Sequence, residues 1–320
     1  MHGENMSMLP DAVKLLPEID ADRLRADLYA VEKHFSTHTN PTPEDSDEED
    51  AGGWSYLPLR ISGGDAEGSG RDEVADTQYM KHTPYVRELL DTIDLPLRAA
   101  RFSSLAPGKS VLEHSDRPYG LSAGWVRLHI PVATNDHAIL VLNGKDYCWQ
   151  PGEFWYANFA TPHSLYNKGD EARVHLILDC YVSERLFELF PEQLRKEIEA
   201  ADIMYFNEGQ SLPDDLAGLS GAITLPSSFL RPYPEFPTVE EWNAFEKDDL
   251  EAELSVRDGH LVVKLGEHET KLAHLGNGAF RPLCWTEEQT FAIESHAGAR
   301  RIVFRYRIGS QVVETTREQP

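Results

Sequence analysis

The chain reads WVRLHIPVATNDHAILVLNGKDYCW from residue 125 to residue 149, a stretch dense in branched side chains that predicts β-strands. Asn143 and Gly144 separate two strand-like segments, and this dipeptide is the strongest short-range signal for a hairpin turn. A similar run, RVHLILDCYV, occupies residues 173–182. These patterns predict a β-rich region over residues 98–182.

Helices are predicted on both sides of this β-rich region. Residues 18–35 carry apolar side chains at helical spacing behind an acidic start, and TPYVRELLDTI at residues 83–93 predicts a second, short helix. Residues 183–200 predict a helical segment that Pro191 breaks or restarts.

The C-terminal part of the chain has its own β pattern. Residues 206–240 are rich in proline, glycine and serine and predict a linker. Beyond them, apolar and polar residues alternate between turn signals, which predicts an antiparallel meander. The turn signals are Asp258–Gly259, Gly276–Asn277–Gly278 and Gly309–Ser310. The domain boundaries that we expect are 1–205 for a first domain with its core at about 54–182, 206–240 for the linker, and 241–320 for a small antiparallel β domain.

Composition and charge exclude several classes of protein. There are 54 Asp and Glu residues against 30 Lys and Arg, a formal net charge of -24, so the surface should repel nucleic acid. No apolar run approaches the roughly 20 residues of a membrane span, and the first dozen residues lack a secretory pattern. The 3 cysteines have unrelated spacings. We expect a reduced, cytoplasmic protein with neither a nucleic-acid nor a membrane partner.

The stretch EHSDRPYG, residues 113–120, carries the first candidate for chemistry. His114 and Asp116 lie two residues apart, so on an extended strand both side chains project from one face. An imidazole nitrogen beside a carboxylate oxygen provides two corners of a metal site. A lone His-x-Asp pair also arises by chance as a surface feature.

Two later residues turn this pair into a pattern. ATPHSLYN at residues 160–167 supplies His163 at the end of a predicted strand, and Arg173 follows ten residues further on. Two histidines and one carboxylate match the facial triad of non-haem iron oxygenases. An arginine after them offers a planar fork for the remote carboxylate of a 2-oxo acid.

The sequence resembles a known family in the strings RLHIPV, PGEFWYANFATPHSLYN and RVHLILD. They are similar to those of the bacterial aspartyl/asparaginyl β-hydroxylases, which include free-amino-acid hydroxylases such as proline cis-4-hydroxylase. The resemblance covers roughly residues 15–190. It implies a mainly β fold with flanking helices, built on a double-stranded β-helix core of the jelly-roll or cupin type.

The resemblance also implies roles for individual residues. His114, Asp116 and His163 would bind Fe(II), and no catalytic residue beyond these ligands is expected. The residues expected to bind 2-oxoglutarate are Arg173 at its distal carboxylate, with Arg127 and His129 near its iron-proximal end. The candidates for substrate contact are Arg101, Trp155 and His175, for each of which an ordinary structural role is the alternative. Asn158 departs from the family pattern, where Asp is common.

The expected activity is that of a dioxygenase that uses Fe(II), 2-oxoglutarate and O2 and releases succinate and CO2. It would hydroxylate an unactivated C–H bond of a free amino acid or amino-acid derivative. Hydroxylation of Asp or Asn side chains in a peptide or protein is the first alternative, and a non-oxidative cupin-like metal or ligand sensor is the second. Self-association stays open, as does a role for the acidic segment 44–50 as an active-site flap.

Overall fold

The computed structural model describes residues 9–35, 53–65, 72–116, 119–198, 203–214, 219–227, 229, 248–296, 299–308 and 311–319. The acidic segment 44–50 lies outside these residues. The chain divides into two compact units. The first comprises Met1–Gly68, Val74–Leu121 and Trp125–Ala201, and the second comprises Ser69–Glu73, Ser122–Gly124 and Asp202–Pro320.

Two antiparallel sheets form the first unit, and over residues 97–181 the chain passes repeatedly from one sheet to the other. One sheet has the order β1-β9-β6-β11-β4-β2-β3 and the other the order β5-β10-β7-β8. The strands are β1 (Ala12–Lys14), β2 (Trp54–Ser62), β3 (Val74–Asp76), β4 (Leu97–Leu105), β5 (Lys109–His114), β6 (Trp125–Ala133), β7 (Ala138–Leu142), β8 (Lys145–Tyr147), β9 (Trp155–Ala157), β10 (His163–Asn167) and β11 (Arg173–Tyr181). Repeated crossing between two antiparallel sheets is the pattern of a double-stranded β-helix, so the expected fold class is confirmed.

The predicted hairpin joins β7 to β8. Leu142 pairs with Lys145 across the turn. Asn143 and Gly144 both have positive φ, 49° and 73°, which a two-residue turn of type I′ requires. The sequence signal is therefore confirmed in position and in conformation.

Strand β11 lies in the middle of the larger sheet, between β4 and β6, and every residue in it is buried. Its apolar residues Val174, Leu176 and Leu178 alternate with Arg173, His175 and Asp179, which share the opposite face. A strand that is covered on both sides thus carries charged side chains into the interior of the unit.

Short helices flank the β core. They are α1 (Ala21–Val31), α2 (Pro84–Ile93), α3 (Glu184–Glu188) and α4 (Glu192–Ile198), with 3-10 turns at Glu32–His34, Met80–His82 and Leu121–Ala123. Asp20 caps α1 by accepting the Arg23 N–H at 3.0 Å. The break between α3 and α4 falls at Pro191, as predicted. None of the helices within the described ranges is long and apolar enough to cross a membrane.

The second unit contains one sheet of eight strands in sequence order, from β12 to β19. They are β12 (Gly221–Pro226), β13 (Asp249–Arg257), β14 (His260–Leu265), β15 (His268–Gly276), β16 (Ala279–Pro282), β17 (Gln289–His296), β18 (Ala299–Ile308) and β19 (Gln311–Glu318). Every strand pairs with the next along the chain, so the expected meander is confirmed. The turn at Asp258–Gly259 has positive φ at both residues. The turn predicted at Gly309–Ser310 lies outside the described residues.

The segment predicted to be a linker, 206–240, differs from that prediction in part, because it contains β12. This strand pairs with β13, and its Ile223 and Leu225 are buried in the core of the sheet. The alternation of these two residues is only one period long, and the surrounding proline, glycine and serine obscured it in the sequence.

The first and last strands of this sheet are joined by a side chain. The Gln319 amide oxygen accepts the Thr224 N–H at 2.9 Å, and the Gln319 amide nitrogen donates to the Thr224 carbonyl at 3.3 Å. The amide group thereby pairs as a neighbouring strand would, which nearly closes the sheet into a barrel.

The central position of β11 leads to a stability prediction. Leu176 is fully buried on the apolar face of this strand. We expect Leu176→Ala to lower the free energy of unfolding by about 2–5 kcal/mol, because it removes buried methyl groups and leaves a cavity. Urea unfolding followed by tryptophan fluorescence measures this change. The control is Tyr29→Ala on the exposed side of α1, for which we expect a change within about 0.5 kcal/mol. Equal losses in the two variants would contradict the packing described.

Candidate metal centre

Two adjacent strands bring the candidate histidine ligands together. His114 is the last residue of β5, His163 is the first residue of β10, and the two are direct partners in the antiparallel register. Directly opposed residues on one face of a sheet are close neighbours. The two imidazole ring centres accordingly lie 4.2 Å apart.

Asp116 lies beyond the end of β5, and its side chain approaches the same two histidines. The sequence interpretation placed His114 and Asp116 on one extended strand, but β5 ends at His114. The Asp116 N–H donates instead to the Phe159 carbonyl at 2.8 Å, which fixes the backbone after the strand. The Asp116 Oδ1 atom then lies 3.4 Å from the His114 Nε2 atom.

The three side chains present ligand atoms that fit a divalent transition metal. One atom each of His114, Asp116 and His163 lies within 4.8 Å of the other two, and this is the one such group found in the described residues. The Nδ1 atoms of the two histidines lie 2.7 Å from the Leu112 carbonyl and 2.9 Å from the Thr161 carbonyl. Each carbonyl holds the proton on Nδ1 and leaves the Nε2 lone pair for a metal.

The electrostatic surroundings favour the ionised carboxylate. Burial alone would raise the pKa of Asp116, but Arg127 and the two histidines outweigh burial and hold this pKa below its usual value. The pKa of His114 is raised, chiefly by its hydrogen bond to Asp116. The pKa of His163 is lowered by burial, which favours the neutral form that a metal ligand needs.

Arg127 connects Asp116 to a second buried carboxylate. Its NH1 group donates to the Asp116 Oδ2 atom, its Nε–H donates to the Asp179 Oδ1 atom at 2.8 Å, and its NH2 group donates to the Tyr119 hydroxyl at 2.9 Å. The Asp179 Oδ2 atom accepts a further bond from Arg101. Although burial alone would raise the pKa of Asp179, the two guanidinium groups hold it far below its usual value.

A second buried cluster lies further along the same face of β11. Arg173 NH2 lies 2.9 Å from the His175 Nδ1 atom, and the Nδ1 atoms of His175 and His129 lie 3.2 Å apart. Burial lowers the pKa of Arg173 to about 9 and the pKa values of both histidines well below their usual range. The His129 Nε2 atom is buried, and the described residues offer it no hydrogen-bond partner. No ion pair joins Arg173 to a carboxylate among the described residues.

Aromatic side chains lie between the metal-ligand candidates and the cluster of Arg173, His175 and His129. The Phe159 ring lies 4.8 Å from the His163 ring and 4.9 Å from the His129 ring. Trp155 pairs in register with His129 and stacks on Trp149 at 5.2 Å. These rings form an apolar wall beside His163 and His129.

The family model described as Aspartyl/Asparaginyl beta-hydroxylase matches residues 18–182. The chain belongs to the aspartyl/asparaginyl β-hydroxylase family. The recognition made from the sequence motifs is therefore confirmed.

Two curated members resemble the chain at low identity. It is 26% identical over 179 residues to L-proline cis-3-hydroxylase 2 from Streptomyces sp. This match covers 51% of this chain and 57% of that protein. It is 27% identical over 125 residues to L-proline cis-4-hydroxylase from Rhizobium meliloti (strain 1021), which covers 38% of this chain and 42% of that protein. The chain thus spans about half the length of the curated relatives that it matches.

Solved structures resemble the chain only distantly. A 2OG-Fe(II) oxygenase family protein from Burkholderia pseudomallei has a TM-score of 0.36 at 12% identity, over 53% of this chain and 84% of that one. A Pseudomonas putida prolyl-4-hydroxylase has a TM-score of 0.32 at 17% identity, over 54% of this chain and 94% of that one. Likenesses this distant add nothing to the assignment.

The structure distributes the predicted site residues over three groups. The metal-ligand candidates form one group, and Arg173, His129 and His175 form the second. Arg127 and Arg101 form the third, and both are bound to Asp179. Trp155 lines the aromatic wall and donates to Glu153 at 3.0 Å. Asn158 lies in the turn before His163, where its carbonyl accepts the Thr161 hydroxyl at 2.7 Å.

Sequence reasoning missed Asp179, Tyr119 and Phe159. Asp179 was detectable, because it occupies the same alternating positions of RVHLILD as Arg173 and His175 and interrupts an apolar run. Tyr119 lies in the quoted stretch EHSDRPYG, but its contact with Arg127 depends on tertiary structure. Phe159 gave no signal beyond that of a core aromatic.

The ligand geometry leads to a prediction for metal binding. We expect His163→Ala to weaken Co(II) or anaerobic Fe(II) binding by more than the roughly 10- to 100-fold that is typical of supporting residues. The reason is that two remaining ligands hold a divalent ion poorly against water. Isothermal titration of the purified protein measures the affinity. The control is His137→Ala, an exposed histidine in the same unit, and equal affinities in the two variants would rule out the site.

The two neutral buried histidines lead to a prediction for pH dependence. The pKa values of His129 and His175 are low in the folded state, so the unfolded chain binds more protons below about pH 6.5. Stability should therefore fall on acidification, by up to about 1.4 kcal/mol per pH unit for each histidine. We expect His175→Gln to reduce this slope in urea unfolding between pH 7 and 5.5. Retention of the full slope would show that His175 is charged in the folded protein.

Proposed function

We propose that this chain is an Fe(II)- and 2-oxoglutarate-dependent dioxygenase that hydroxylates an unactivated C–H bond of a free amino acid or amino-acid derivative. One observation carries the proposal: Arg173 is a buried cation without a carboxylate partner among the described residues. It lies on the same face of β11 as Asp179, which Arg127 connects to the metal-ligand candidate Asp116. An unpaired buried charge is costly, and a bound anion would compensate it. A metal or ligand sensor has no need of such a group.

His114, Asp116 and His163 would hold Fe(II) through two imidazole nitrogens and one carboxylate oxygen. When bound, the iron together with 2-oxoglutarate and O2 supplies the oxidising power for C–H cleavage, with release of succinate and CO2. The protein orients the reactants and keeps water away, which here falls to the apolar wall of Phe159, Trp149 and Trp155.

Arg173 would bind the distal carboxylate of 2-oxoglutarate. Its guanidinium group offers a planar pair of donors, and burial in a water-poor environment strengthens each hydrogen bond to an anion. The contact between Arg173 and His175 fixes the orientation of the fork. The unpartnered Nε2 atom of His129 supports a place for this residue at the other end of the co-substrate.

Arg127 and Arg101 remain candidates for ligand binding, Arg127 for the co-substrate and Arg101 for the substrate. All three nitrogen atoms of Arg127 are bonded to Asp116, Asp179 and Tyr119. It would therefore influence the co-substrate indirectly, through the metal-ligand candidate Asp116. Arg101 uses NH1 for Asp179, and its Nε and NH2 groups have no other bond within the described residues. These donors would suit a substrate carboxylate.

The substrate class rests on the curated relatives, whose names are those of L-proline hydroxylases. A small amino acid is therefore the first substrate to test, and peptides containing Asp or Asn are the second. Substrate-dependent formation of succinate, followed by mass spectrometry of the product, separates the two. Metal binding with no succinate formed from any amino acid or peptide would favour the sensor.

The role of Arg173 is tested by anaerobic titration with Fe(II) followed by 2-oxoglutarate, monitored by visible absorption. We expect a weak charge-transfer band that saturates with 2-oxoglutarate in the wild type. Arg173→Ala should weaken 2-oxoglutarate binding by about 2 kcal/mol or more, roughly 30-fold, because it removes one partner of a buried charge pair.

The control for this titration is Arg87→Ala, which removes a half-exposed arginine paired with Asp76 on the outside of the same unit. It should bind 2-oxoglutarate like the wild type. An Arg173→Ala variant that binds the co-substrate with wild-type affinity would refute the carboxylate-binding role.

A further inference from the structure

Asp179 holds two arginines at once in the interior of the first unit. It lies in β11, directly opposite Arg127 in β6, and Arg101 lies on the other neighbouring strand, β4. The Asp179 side chain is 3% exposed, and each of its oxygen atoms accepts a bond from one guanidinium group. The carboxylate is thus saturated by two cations from the two strands that flank its own.

The bonds continue from Arg127 to the candidate metal ligand. Arg127 binds the Oδ2 atom of Asp116, while the Oδ1 atom faces the Nε2 atom of His114 at 3.4 Å. One oxygen of Asp116 is therefore committed to the arginine, and the other is turned towards the metal ligands.

We propose that Asp179 is a positioning residue for the metal centre, which acts through Arg127 to present the Oδ1 atom of Asp116 to a divalent cation. The inference rests on the proposed metal site and extends it to a residue that touches neither the metal nor the substrate. Arg101 anchors the free side of Asp179 and so limits the movement of the whole chain of contacts.

The charges give the direction of the effect. Arg101 and Arg127 contribute two positive charges, which Asp179 and Asp116 balance. Loss of the Asp179 charge leaves Asp116 as the one anionic partner of Arg127, so Arg127 competes more strongly with the metal for this carboxylate. The uncompensated positive charge also repels a divalent cation, and this repulsion is strong where water is excluded.

An ordinary structural role is the alternative. A buried carboxylate between two arginines also ties β4, β6 and β11 together, and its loss would destabilise the sheet. Stability and metal affinity must therefore be measured separately. A substitution that weakens the same strand without changing a charge distinguishes the two roles.

The test uses Asp179→Asn in the full chain, with Co(II) as the probe and its visible spectrum and isothermal titration as readouts. We expect Co(II) binding about 10- to 100-fold weaker than in the wild type, the range typical of residues that orient metal ligands. Leu176→Ala provides the matched control, because it destabilises β11 on its other face and leaves the charges intact. Its Co(II) affinity should stay within about twofold of the wild type.

A double variant tests the route through Arg127. In an Arg127→Gln background, we expect Asp179→Asn to change Co(II) affinity by less than about twofold, because residues that act through one another are not additive. A full additional loss in that background would overturn the proposal. So would a single Asp179→Asn variant that binds Co(II) as tightly as the wild type.

Arg127→Lys keeps the test decisive should Asp179→Asn fail to fold. An ammonium group retains the charge but cannot span two carboxylates as a guanidinium does, so we expect roughly tenfold weaker Co(II) binding. Unchanged affinity would overturn the proposal. A wild-type protein that binds no divalent metal would instead refute the metal site itself, so the two failures are distinguishable.

Discussion

The pairing of β11 with β4 and β6 is the constraint on which the first unit depends. Because β11 is covered on both faces, its alternation of side chains has to satisfy two different environments. Leu176 and Leu178 face an apolar layer, whereas Arg173, His175 and Asp179 share the other face with groups from the two neighbouring strands. Antiparallel register then sets which side chains meet, so one strand organises both buried polar clusters.

Buried charge is compensated at the Asp179 end of β11 and left without a carboxylate partner, among the described residues, at the Arg173 end. At the Asp179 end, two carboxylates and two guanidinium groups compensate one another, and every oxygen of Asp179 is used. At the Arg173 end, histidine is the polar neighbour, and burial keeps that histidine neutral. In the proposed function, the distal carboxylate of 2-oxoglutarate would supply the missing anion at the Arg173 end.

Local signals explain how much could be predicted from the sequence. The Asn143–Gly144 turn, the helix break at Pro191 and the strand at RVHLILDCYV each depend on a few neighbouring residues, and all three were predicted correctly. His114 and His163 could be picked out as a pair because each lies at the end of a strand, within a short motif that is visible in the sequence. The partners of Arg127 were not, since Asp116, Tyr119 and Asp179 meet only after three separate segments have packed. Strand β12 was missed because its alternation of Ile223 and Leu225 is too short to stand out from the proline, glycine and serine around it.

The bond between Thr224 and Gln319 has a consequence for the order of events during synthesis of the second unit. These residues are 95 positions apart, whereas each backbone pairing between strands in the described part of the sheet joins strands that are neighbours along the chain. Short-range hairpins form quickly, and contacts across a long loop form slowly. The meander can therefore grow strand by strand as it leaves the ribosome, while β12 keeps an unpaired edge until the last strand arrives. During that interval the open edge of β12 offers unpaired backbone groups to which another nascent chain could pair.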